Sequence, residues 1–161
     1  MRIKQIISGG QTGADRGGLD AAIEMGIPYG GRIPKGRYAE DGKVPAKYEN
    51  MVETVSAGYP DRTNLNVMLS CITLIFCHGD LNGGSLLTRG ICWRNKKPFV
   101  SIDLDKPFEE CVKKIVSLSE GITGSVVLNI AGSRESKHKG IQQEVKNVMI
   151  EVIKQLNGEK K

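Results

Sequence analysis

Four short, nearly continuous apolar runs, at residues 3–7, 72–76, 99–102 and 126–130, alternate along this chain with stretches of helical periodicity. Continuous apolar runs suit strands buried on both faces, as in a parallel sheet. Parallel neighbours need long crossovers, which helices supply. Leu19, Ala22 and Ile23 share one helical face, stopped by Gly26 and Pro28. A second helix is expected over about residues 85–94, containing Trp93. Phe108, Cys111, Val112, Ile115 and Val116 repeat at helical spacing after Pro107, and Ile141, Val145, Val148, Val152 and Leu156 form a C-terminal stripe. Strand and helix in alternation predict an α/β fold, a three-layer sandwich with a mostly parallel sheet. The 161 residues suffice for one domain, taken as 1–161. Residues 30–62 break the pattern: Gly, Pro and charge dominate, with a short strand expected near 51–55.

Composition narrows the function classes. Apolar residues make up 39% and charged residues 25%, as in soluble globular proteins. No stretch has the length and apolarity of a membrane span, and the N-terminus lacks a signal-peptide pattern, so a cytoplasmic location is expected. The net charge of +5, partly in the tail 154–161, suits anionic ligands. Aromatics at 5% argue against a base-stacking platform for single-stranded nucleic acid. Cys71, Cys77, Cys92 and Cys111 form no C-x-x-C pair and read as buried free thiols. Only two histidines, His78 and His138, are present, and His78 with Asp80 is the one candidate pair; no metal site is assigned.

In an open parallel sheet, ligands bind beyond the carboxyl ends of the strands. Three glycine-rich segments leave strands there. In the first, Gly9, Gly10, Gln11, Thr12 and Gly13 precede Asp15 and Arg16. Glycines let the backbone approach a ligand, and the following helix start offers unpaired N–H groups to an anion. Asp15 reads either as a helix cap or as an orienter of a ligand hydroxyl. The second holds Gly83, Gly84 and Ser85, with Thr88 one turn on. The third holds Asn129, Gly132, Ser133 and Arg134, the last able to grip an oxyanion bidentately. Lys35 and Arg37 are candidates to neutralise ligand charge, and Glu40 and Asp41 are adjacent carboxylates that could act as acid and base or remain on the surface.

Together these residues resemble the molybdenum-cofactor carrier-like family of the SLOG superfamily. The resemblance rests on residues 9–20, 31–42 and 128–136, on Arg62, Thr63 and Asn66, and on Gly83, Gly84, Ser85 and Thr88. It implies a Rossmann-like fold, self-association into a homo-oligomer, and a pocket for a nucleotide- or pterin-like ligand carrying phosphate, nominally molybdenum cofactor. The superfamily also holds nucleotide phosphoribohydrolases, whose signature is a proline-glycine-glycine-x-glycine-threonine turn followed by a glutamate. Residues 81–89 lack that proline, the later glycine and the acid. The expectation is therefore a non-catalytic carrier or sensor of a small anionic ligand. The alternative is a nucleotide- or nucleoside-cleaving hydrolase using Asp15, Glu40 or Asp41. Nucleic acid and membranes are not expected partners.

Overall fold

A computed structural model describes residues 1–158. The elements are β1 (Arg2–Ser8), α1 (Ala14–Met25), β2 (Tyr29–Ile33), β3 (Tyr38–Ala39), β4 (Gly42–Lys43), β5 (Met51–Glu53), α2 (Tyr59–Leu69), β6 (Ile72–Cys77), α3 (Gly83–Arg94), β7 (Phe99–Asp103), α4 (Phe108–Val116), a 3-10 turn at Ser117–Glu120, β8 (Ser125–Gly132) and α5 (Ile141–Asn157). The main sheet runs β5-β2-β1-β8-β6-β7. Every adjoining pair in it is parallel. The only antiparallel pairing among the described residues is the β3–β4 hairpin, outside that sheet. The expected Rossmann-like α/β sandwich is thus present, and the end of the basic tail, residues 159–161, lies outside the described residues.

All four apolar runs form strands, but the expected burial on both faces is complete only in β6; the edge strand β7 is half-buried except at Ile102. All six residues of β6 are buried. Helices α1, α4 and α5 pack together on the sheet through Ala21, Ala22, Cys111, Ile115, Val145 and Val152, while α2 and α3 pack together over a smaller cluster of Val67, Ile91 and Cys92. Two consecutive glycines let α1 sit close. A Cβ on Gly18 would stand 2.7 Å from the Ile130 side chain, and one on Gly17 would stand 2.5 Å from the Gln142 carbonyl oxygen on α5.

The stretch read as irregular is more ordered than its composition suggests. It supplies two sheet strands, the hairpin and the start of α2. β2 escapes a periodicity search because Gly30 and Gly31 interrupt any apolar run. α2 escapes because its pattern is inverted: Leu65, Met68 and Leu69 are exposed while Asn66 is buried. Asn66 accepts from the Arg32 N–H at 2.7 Å and donates to the Arg32 carbonyl at 3.0 Å, so it pins α2 to β2 as an extra strand residue would. Tyr48 is fully buried with Leu19, Ile33, Ala39, Val44 and Met51, and its hydroxyl donates to Asp20 at 2.6 Å. All four cysteines are free thiols; Cys77, Cys92 and Cys111 are buried as expected, but Cys71 is exposed at the mouth of β6. No described helix is long and apolar enough to cross a membrane.

Candidate functional site

Chain leaving β1 and β8 enters helices on one face of the sheet, whereas chain leaving the next strand, β6, enters α3 on the other. Loops that diverge in this way open a crevice beyond the carboxyl ends of the strands. A cleft of about 250 Å³ lies there, walled by the β1–α1 loop, the end of β8, α2 and the start of α3. All three glycine-rich segments therefore border one cleft, as their sequence positions predict.

Their contributions differ. In the β1–α1 loop most amides are closed within the protein. The Gly10 N–H donates to Ser8 Oγ (3.3 Å), Gln11 N–H to Asp15 Oδ2 (3.2 Å), Thr12 N–H to Gln11 Oε1 (3.1 Å) and Ala14 N–H to the Ser133 carbonyl (3.1 Å). Gly13, at φ 84°, is needed for close approach: a Cβ there would lie 2.3 Å from the Ser133 oxygen. Gly9, Gln11 and Asp15 line the cleft, whereas Gly10 faces Ile33 and Val44, and Thr12 turns toward Glu40. Asp15 is in the first turn of α1, whose cap position is Gly13. Its carboxylate accepts from Arg62 Nη1 at 3.0 Å, and both side chains are nearly buried. Burial pushes the Asp15 carboxyl above its usual range; the Arg62 charge opposes that rise without cancelling it.

The second wall has free donors. No side chain caps α3 at Asn82. Ser85 and Leu86 amides return to the Asn82 carbonyl, which leaves the Gly83 and Gly84 N–H groups without a partner among the described residues. Gly84, Ser85 and Thr88 line the cleft, although the Thr88 hydroxyl donates to the Gly84 carbonyl at 2.9 Å. Across from α3, the β8–α5 loop brings Asn129, Gly132, Ser133 and Arg134 to the lining. Asn129 donates to Thr73 Oγ1 at 3.2 Å. Lys137, which no sequence motif marks, also lines the cleft and donates to Asn82 Oδ1 at 3.4 Å, over the start of α3.

Eight candidates lie outside the cleft lining: Gly10, Thr12 and Gly13 in the first loop, Gly83 next to the lining residues Asn82 and Gly84, and Lys35, Arg37, Glu40 and Asp41. Arg37, itself at φ 59°, donates to the carbonyls of Val44, Pro45 and Tyr48, so its charge supports the hairpin region rather than a ligand. Lys35 is exposed on the turn before it. Asp41 receives a bidentate bond from Arg16, at 2.6 and 2.8 Å, and that guanidinium holds its carboxyl below the usual range. Glu40 accepts from the Thr12 hydroxyl and, at 2.7 Å, from the Ser136 hydroxyl. Burial pushes the Glu40 carboxyl up, but Ser136, Thr12 and the Arg134 charge outweigh it and hold the carboxyl low. The two acids fasten the hairpin across the first and third loops. Arg62, legible in the sequence only as a charged residue of the 30–62 stretch and a family-motif residue, and Tyr59, not legible there, face the cleft from α2; the Tyr59 ring lies 5.5 Å from the Arg62 guanidinium and 5.2 Å from that of Arg134. The one available signal was Arg62 itself, a cation preceding the Asn66 pin. His78 pairs with Asp105 and Glu144 and not with Asp80.

No curated protein matches the chain. A crystal structure from Syntrophus aciditrophicus SB, described as a "putative molybdenum carrier protein", is 47% identical over 94% of each chain, with a TM-score of 0.85. Residues 6–153 match the family described as "Circularly permutated YpsA SLOG family". That match spans all three cleft loops, and the chain belongs to this SLOG family.

Proposed function

We propose that the protein binds a small phosphate-bearing ligand in this cleft, as a carrier or sensor. The observation that supports it is a surplus of hydrogen-bond donors without acceptors. Gly83 and Gly84 present free amides at a helix start, where the partial positive charge favours an anion. Gln11 Nε2 and Arg62 Nε, both on cleft-lining residues, are buried without partners. Buried donors left unpaired are costly, and a ligand rich in acceptors relieves that cost. Arg134 and Lys137 add positive charge at the rim.

The donor set fits a pterin phosphate such as the molybdenum cofactor, the ligand class suggested by the name of the Syntrophus aciditrophicus neighbour. When bound, that group would supply a phosphate and the acceptor edge of its pterin ring. Gly83, Gly84, Lys137 and Arg134 would hold the phosphate, Gln11 and Arg62 the acceptor edge, and Tyr59 with Leu87 would shield the ring from water. A nucleotide offers the same two kinds of group. A thermal-shift and calorimetric screen of pterin phosphates and nucleotides tests the proposal. A true ligand raises the melting temperature with the logarithm of its concentration above Kd, and the rise continues past saturation. Arg134→Ala together with Lys137→Ala should weaken it by roughly tenfold or more, the loss expected for a charge-assisted hydrogen bond. If no anionic ligand stabilises the protein, the reading fails.

One observation supports a second reading. Asp15 is a buried cleft carboxylate with a raised pKa, the setting in which general acids and bases are found. Release of free base from nucleoside monophosphates, abolished by Asp15→Asn with binding retained, would establish a hydrolase instead.

We also infer self-association, which the family resemblance implies. Leu65, Met68, Leu86 and Trp93 are exposed on α2 and α3, the helices whose other edge walls the cleft.

A further inference from the structure

Beside the cleft, but outside its lining, His78 joins three segments of the chain. It directly follows β6 and begins the loop that leads to α3. Its Nδ1 lies 2.7 Å from Asp105 Oδ1, in the β7–α4 loop. Its Nε2 lies 3.1 Å from Glu144 Oε1, in the first turn of α5. The ring of His138, in the β8–α5 loop, lies 5.1 Å away, tilted by 40°. The other acidic group around it is Asp103, at the end of β7, which accepts from the Gly79 and Asp105 amides at 2.9 Å. The thiol of the adjoining Cys77 is pushed up to about 11 by burial and by Asp103, Asp105 and Asp80, so it stays protonated across the neutral range.

Two of these three segments, the β6–α3 loop and the β8–α5 segment, continue into the cleft. The residues after it reach Asn82 and Gly84; those before Glu144 include Arg134 and Lys137. The two loops touch directly where Lys137 Nζ meets Asn82. Between them, Glu135 caps α5 by accepting from the Gly140 and Gln142 amides, so a pull on Glu144 is transmitted to the loop through a fixed helix start.

We propose that His78 is a proton-linked clamp that sets the cleft mouth, doubly bonded to Asp105 and Glu144 when charged and released from one of them when neutral. An imidazolium donates from both ring nitrogens, whereas a neutral ring donates from one. Two carboxylate partners are therefore both satisfied only in the charged state. The regulation rests on the reading of the cleft as an anion site; the clamp itself does not. Burial pulls the His78 pKa down, but the bonds to Asp105 and Glu144 outweigh it and the value is raised. With a raised folded-state value, the stabilisation is complete below the ordinary histidine pKa and is lost as pH rises through the folded one.

Hydrogen exchange of residues 79–85 and 134–142, corrected for intrinsic rates, tests the clamp without any ligand. Protection in the wild type should fall several-fold between about pH 6 and about pH 9. His78→Gln and Glu144→Gln should remove that dependence, while His138→Gln, lacking either carboxylate bond, should keep it. Wild-type protection that ignores pH, or a His78→Gln variant that keeps the dependence, overturns the proposal. Should His78→Gln fail to fold, NMR titration of the His78 ring in the wild type decides: ring and loop shifts moving with one midpoint support the clamp, and separate midpoints contradict it. A calorimetric arm uses sulfate, whose charge is constant over this range. Its affinity should fall with the loop protection. Sulfate that never binds while the exchange behaves as described contradicts the anion reading of the cleft and leaves the clamp standing.

Discussion

Gly13 shows how one residue sets the site. Its positive φ and the 2.3 Å approach of the Ser133 oxygen to an added Cβ leave no room for a side chain. The neighbouring Ala14 amide closes the same contact by donating to Ser133. Gly13→Ala should therefore cost about 3 kcal/mol, combining backbone strain with the displacement of the β8 loop. Urea unfolding would measure it; a loss under about 0.5 kcal/mol, the size of an ordinary surface change, would contradict the contact. Arg62 is the complementary case. Its guanidinium covers Gly9, so that a Cβ there would collide with it, and its Nη1 binds Asp15. The glycine-rich turn is open at this point to admit a protein cation, which also lines the cleft.

At the scale of elements, the β3–β4 hairpin acts as a clasp. Glu40 reaches Thr12 on one loop and Ser136 on another, and Asp41 is held by Arg16. Both carboxyls are held low, so their stabilisation is present above their ordinary pKa values and is lost as pH falls through the lower folded ones. Asp15 runs the other way: its raised value favours the folded state as acid protonates it, and partly offsets the loss. Asp41→Asn should flatten the fall in stability below about pH 4. Thermal unfolding across that range tests it, and an unchanged acid limb would show that the Arg16 pair carries no pH dependence. These clasping contacts were not legible in the sequence. β1, β6, β7 and β8 were, because each carries a nearly continuous apolar run, although only β6 is buried along its whole length and the edge strand β7 buries Ile102 alone. β2, the hairpin and α2 were not, because tertiary contacts hold them: glycines in β2, the Asn66 pin, and the carbonyls gathered by Arg37. The loop positions of the site were legible as strand exits. The division of labour was not, since it depends on which amides are already paired and on α2 delivering Arg62 and Tyr59 from a stretch without periodicity.

At the scale of the whole molecule, the sheet order creates the cleft and the helices on the α3 face leave apolar surface uncovered. Trp93, 73% exposed, is the largest such side chain. Self-association through α2 and α3 predicts that Leu65→Asp with Trp93→Asp lowers the mass measured by light scattering, without changing helix content. A wild type that is already monomeric at high concentration would contradict it. The same architecture gathers unpaired donors around one crevice, which on the proposed reading is the binding site of an acceptor-rich anion. The most direct measurement is a crystal structure of the protein with a phosphate-bearing ligand drawn from the screen. The phosphate is expected against the Gly83 and Gly84 amides, within reach of Lys137 or Arg134, with an acceptor group facing Gln11 and Arg62. A ligand bound elsewhere, with those donors still unpaired, would contradict it.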